Sequence, residues 1–241
     1  MKKLTTKLLM SIIAVAFAFV ALGTSTYAWF SMNTTVTATG MSITAKADQT
    51  FLVIANADSD LAVTATSANA NTATAEIYPA KYKELSGTTP IWQTAYSNNP
   101  DSADKAEGSN YADVAAADAS KYVLANTFYI KVANGAVSAA NLKLSGVSVD
   151  KENSVSSVFE SAVSVLVVVG ETAVNCVNGA LPETNPTLAA TVTDSAFITV
   201  NVYVYFNGDQ ASVKTNNATA INLVAIPVEL TFSVDGVASG N

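Results

Sequence analysis

The chain has 241 residues, half of them apolar and 13% charged, with twelve cationic side chains against nineteen acids and a formal charge of −7. It contains no arginine and no histidine. The length admits one large domain or two small ones, and β-sandwiches of ~200–250 residues often stay single. An acidic chain without arginine lacks the cationic footprint that meets phosphates, which argues against nucleic acid as a partner. Without histidine, the usual serine, cysteine and zinc hydrolase arrangements lose their base or ligand.

The N-terminus reads as an export signal. "MKKLTTK" is basic, and residues 8–22, "LLMSIIAVAFAFVAL", form an uncharged run of fifteen. That is the right length for a signal core and short for a spanning helix. Thr26 and Ala28 in "TYA" are small residues at the two positions that a signal peptidase inspects, so residues 1–28 are read as a signal peptide cut after Ala28. The competing reading is an uncleaved anchor, because uncharged sequence continues through Phe30.

In "WFSMNTTVTAT", residues 29–39, the even positions Phe30, Met32, Val36 and Ala38 are apolar and Thr34 is the exception. This is the period of a strand with one apolar face. After Gly40 the parity flips to Met41, Ile43 and Ala45. A one-residue shift reverses every side chain, so one continuous strand does not keep both sets on one face. Gly40 is therefore read as a bulge or hinge, and residues 29–39 as a segment separable from a domain over 40–241.

Further along, "TFLVIAN" (50–56) is a short apolar run. Residues 57–125, rich in Ala, Thr, Asn, Ser and Asp, read as a long variable insertion anchored by "IYPAKYKEL" and "PIWQTAY". Part of it, "YADVAAADASKYVL", has the look of a short helix. Strand character returns in "NTFYIKVA" (126–133) and "NLKLSGVSVD" (141–150). "SVFESAVSVLVVV" (157–169) is either a helical turn leading into a buried strand or one long strand, and periodicity does not separate these. "FITVNVYVYF" (197–206) and "IPVELTFSVDG" (226–236) alternate cleanly, with "NGDQ" and "KTNN" as turns between them. Pro227 suits a strand's beginning or an edge. Seven to nine strands without a βαβ rhythm predict an all-β fold, an antiparallel jelly-roll-like sandwich.

Chemistry is sparse. Cys176 is the only cysteine, so no intrachain disulfide forms, and its neighbours suggest a small buried hydrophobe. Asp58 and Asp60, or Asp101, Asp104 and Glu107, are oxygen ligands of the kind calcium takes, but their spacing is not that of an EF-hand loop. Charged loop residues are more often simply solvated. Tyr203 and Tyr205 on the polar parity of one strand suggest a binding stripe, set against the commonplace half-exposed strand tyrosine. "LPETN" at 181–185 has the letters of a wall-sorting signal, yet some 56 residues follow it without the required apolar segment and basic tail. A turn is the simpler reading. No catalytic residue, cofactor or metal follows from these residues.

The stretch "GTSTYAWFSMNTTVTATGMSITAKA" resembles the start of TasA/camelysin-type secreted proteins, in Gly23-Thr24, Ala28, Phe30, Gly40 and the alternation from Met41 to Ala45. The resemblance covers ~25 residues, and Met32 stands where the family often has an acidic or amide residue. It implies cleavage by a SipW-type signal peptidase and a jelly-roll subunit of a pilus-like or biofilm-matrix fibre. In that family a flexible N-terminal strand completes the neighbour's sheet. Trp29, Phe30, Met32, Val36 and Ala38 would then form the polymerisation strand, with the chain itself as partner. Burying each large apolar anchor stabilises by ~1.5–3 kcal/mol. Head-to-tail donation does not close on itself, so the product is a filament. The family also includes a described metalloprotease, but here the usual zinc ligands are missing. The alternative function is a membrane-anchored monomeric surface adhesin that keeps residues 8–30 in the bilayer.

Overall fold

The structure is a computed structural model, and it describes residues 42–47, 52–59, 64–71, 77–95, 111–136, 138–149, 162–210, 213 and 227–235. The expected signal segment, the segment 29–39 and Gly40 lie outside the described residues. So do Asp60, Asp101, Asp104, Glu107 and the "KTNN" turn.

Twelve strands are present among the described residues, and the fold is all-β. In chain order they are β1 (Ser42–Ala47), β2 (Leu52–Ala55), β3 (Ser67–Asn71), β4 (Ala80–Ser86), β5 (Thr89–Thr94) and β6 (Val123–Val132). There follow β7 (Ala139–Val149), β8 (Val163–Val169), β9 (Thr172–Cys176), β10 (Thr187–Val192), β11 (Ile198–Phe206) and β12 (Val228–Ser233). One five-stranded sheet has the order β10-β7-β12-β1-β3, a second has β2-β6-β11-β8-β9, and β4-β5 form a separate hairpin.

Alternation builds the core. Val200, Val202, Val204 and Phe206 of β11 face Leu142, Leu144, Leu230 and Phe232 of the opposite sheet, in one continuous buried cluster. Ala45 of β1 belongs to the same cluster and is fully buried. Chain connections pass repeatedly from one sheet to the other, so neither layer forms from one contiguous stretch of sequence.

The pairing is antiparallel throughout with one exception: β1 runs parallel to β12, Ile43 opposite Val228 through Ala47 opposite Phe232. The antiparallel expectation misses this pair because alternation specifies faces and says nothing of a neighbour's direction. Pro227 directly precedes β12, at a strand's beginning, where its missing N–H removes no ladder bond.

Strands also occur within 57–125. β3 pairs with β1 at the edge of its sheet. The β4-β5 hairpin packs on the outer face of the second sheet, where Ala80 and Trp92 join Val123, Leu166, Val168 and Tyr205 in a second buried cluster. That cover explains β8, whose seven residues are all buried. Its odd positions enter the main core and Leu166 and Val168 meet the hairpin, so the run loses the alternation of a one-faced strand. The expected helix is a six-residue 3-10 turn, Ala116–Lys121, with no side-chain cap at its start.

Candidate functional site

The hairpin is clipped onto the sheet at its base. Ala80 bridges to Asn207, and the Gly208 N–H donates to the Ala80 carbonyl at 3.0 Å. A Cβ at position 208 would overlap the Ala95 backbone carbonyl, so this close approach requires glycine. The Asp209 N–H donates to the Asn207 side-chain oxygen at 3.1 Å, which makes the "NGDQ" turn an Asx turn. Asp209 in turn holds the Lys81 ammonium at 3.0 Å and accepts from the Tyr111 hydroxyl. The Asp209 hydrogen bond raises the pKa of Lys81. Burial first, then the bond to Asp209, raises that of Tyr111. Lys81 also lies 4.5 Å from the centre of the Tyr111 ring.

Under the hairpin, Trp92 is the hub of an aromatic cluster. Its ring centre is 5.9 Å from Tyr82, 5.9 Å from Tyr203 and 5.0 Å from Tyr205. Of the two strand tyrosines, Tyr205 is covered, while Tyr203 is half-buried, so the two do not form an open stripe. Tyr205 is 2% exposed and its hydroxyl donates to Asn175 at 3.0 Å.

Beside the hub runs a groove of about 750 Å³. Pro90, Ile91 and Trp92 of β5 form one wall, Ala119 and Ser120 of the 3-10 turn another, and the first residues of β6 with Tyr203 complete it. Among the described residues, no charged side chain lines it. It therefore suits apolar or uncharged chain rather than an ionic substrate. Sequence reasoning missed Ser120, Ala125 and Asn126, the small and polar residues of this groove, because nothing in their spacing marks them.

Cys176 is fully buried, and burial pushes its thiol up to about 12. A thiol held protonated is a poor nucleophile. Expected outcome: a thiol-specific reagent at pH 8 leaves the native protein unmodified and labels one site once denaturant unfolds it. Rapid labelling of the native protein would contradict this. Among the described residues no three of His, Cys, Asp and Glu come together as a metal site. At 181–185, Asn185 adopts a left-handed φ of 50° in the bend leading to β10. Comparison of the chain with protein-family models, curated proteins and solved structures gave no match.

Proposed function

We propose that the chain is a secreted, non-catalytic structural subunit that polymerises head to tail into extracellular filaments. Cleavage after Ala28 frees residues 29–39, which pivot at Gly40 and add as a strand to the jelly-roll-like sandwich of the next copy. Phe30, Met32, Val36 and Ala38 are the anchors.

The observation that carries this reading is the burial of Ala45 in the main core. With Ala45 on the core side, an uninterrupted strand running back from it would turn the even numbers 30, 32, 36 and 38 away from that core. The apolar set of residues 29–39 is out of phase with its own sheet and calls for another surface. Strand addition supplies one, with main-chain hydrogen bonds for affinity and alternate side chains for specificity.

The test is negative-stain electron microscopy of the chain beginning at Trp29 beside a chain lacking residues 29–39. The expected result is filaments from the longer protein only, and a folded monomer by circular dichroism from the shorter. Normal filaments from the truncated chain would overturn the reading. Monomers from both would move the anchored adhesin ahead of it.

A further inference from the structure

Among the described residues, the second sheet leaves part of a strand edge unpaired. β2 has four residues and β6 has ten, and β2 pairs only with Tyr129 to Val132. The half of β6 from Val123 to Phe128 therefore has β11 on one side and, among the described residues, no strand on the other. The direction of its backbone groups follows from β2. The Ile54 N–H turns away to donate to the Ala65 carbonyl at 2.8 Å. Val53 and Ala55 thus face Lys131 and Tyr129, the residues opposite them. By the same alternation Val123, Ala125 and Thr127 present N–H and C=O on the open side.

The uncharged groove lies along this edge, lined there by Val123, Leu124, Ala125 and Asn126. Asn126 adds an independent sign of a missing partner. Its side-chain Nδ2 is buried and, among the described residues, has no hydrogen-bond partner. Buried donors are normally satisfied, and an unsatisfied one costs roughly the desolvation of the group.

We infer that this groove is the acceptor for residues 29–39 of a second copy of the chain, an inference that rests on the strand-donation reading above. The match is one of charge and length. The segment has eleven residues and no charge, and the described lining of the groove carries no charge either. Its extent covers the six-residue free edge with residues to spare on either side. Its period-two apolar face supplies side chains for the apolar wall of β5, and its backbone supplies the ladder that β2 stops short of making.

Removing residues 29–39 leaves Trp92, in the groove wall, as the sole tryptophan. A synthetic peptide of residues 29–39 carrying Trp29→Phe is titrated into this truncated protein, and Trp92 emission is followed. The expected result is a saturable change in emission. Ala125→Glu, at an exposed edge position, should weaken it about tenfold or more by placing a charge where the strand docks. Ser120→Arg, on the exposed rim, is the second variant should Ala125→Glu fail to fold. In the chain beginning at Trp29, either variant should prevent filaments while preserving the circular dichroism spectrum.

Unchanged Trp92 emission in the titration, or normal filaments from a folded variant, would overturn the acceptor site while leaving strand donation elsewhere intact. Absence of filaments from the unmodified chain would count against the polymer itself, and the titration would still decide the groove. Peptide binding that appears only once the chain's own residues 29–39 are removed, in protein shown to be monomeric, would assign the groove to the chain's own segment and overturn the intermolecular arrangement. Binding of an unrelated uncharged peptide with equal affinity would overturn the commitment to this segment.

Discussion

Trp92→Ala is expected to destabilise the protein by about 3–5 kcal/mol, the usual range for removing a buried Trp or Phe. Trp92 is 3% exposed and meets three tyrosine rings at once. Each well-oriented aromatic pair adds about 0.5–1.5 kcal/mol beyond area burial. Against a typical total stability of ~5–15 kcal/mol this is a large fraction, and it corresponds to a fall in Tm of roughly 6–20 °C. The loss should be uneven. Trp92 belongs to the outer cluster, whereas Leu142, Leu230 and Phe232 belong to the core between the sheets. Hydrogen exchange should therefore show β4 and β5 losing protection while β7 and β12 keep theirs. Phe232→Ala provides the contrast, weakening the protein by a similar amount through the main core. Wild-type protection of the hairpin in Trp92→Ala would show that the aromatic hub is not what holds it.

Alkaline pH is expected to lower stability by about 3 kcal/mol between pH 8 and pH 10.5, mostly through Cys176 and Tyr205. Their ordinary values are 9.0 and 10.0, and in the fold burial holds both up at about 12. For Tyr205 the bond to Asn175 works in the opposite direction but is the smaller effect. Between pH 9 and 12 the unfolded chain has released protons that the native protein retains. The native state thus binds more protons than the unfolded one, and stability falls as pH rises. Below pH 9 the two states carry equal protons on these groups and the full stability is present. Tyr203, raised by burial, and Lys81, raised by Asp209, act in the same sense. Urea titrations at the two pH values measure the effect, and Cys176→Ala should remove about 2 kcal/mol of the pH dependence. An unchanged urea midpoint would show that neither group is held protonated.

The strands most legible in the sequence were those with one face in the core. β11 and β12 alternate because each odd–even pair of positions divides between the core and the other face, and their apolar parity is the buried one. The ambiguity around β8 had a physical origin: two covers, one on each face, erase the period. β3, with the sequence SANAN, has no large side chain to reveal a pattern, and its pairing with β1 supplies what its composition lacks. Cys176 was read correctly as buried, since its neighbours Val174 and Val177 flank a strand end.

Of the groove, only Tyr203 was singled out in the sequence. The groove exists because β2 is shorter than β6, and because a hairpin and a 3-10 turn border a sheet whose other strands come from far along the chain. The residues that border it, Ala119, Ser120 and Ala125, are as unmarked as any in the chain. The reading of the N-terminal segment rests on a phase relation within twenty residues. What hid its candidate acceptor was that edges are properties of pairing, and pairing is settled by contacts distant in sequence.

The parallel β1–β12 pair has a kinetic consequence. β12 lies between β7 and β1, so the first sheet remains two fragments until the strand at 228–233 arrives. Closing that loop spans more than 180 residues, and its entropy is lost before the contact rewards it. The core between the sheets therefore stays open on that side until β12 has been made and has docked. Folding should be slow, and the first sheet should close only once residues 228–233 are free to pair with β1 and β7.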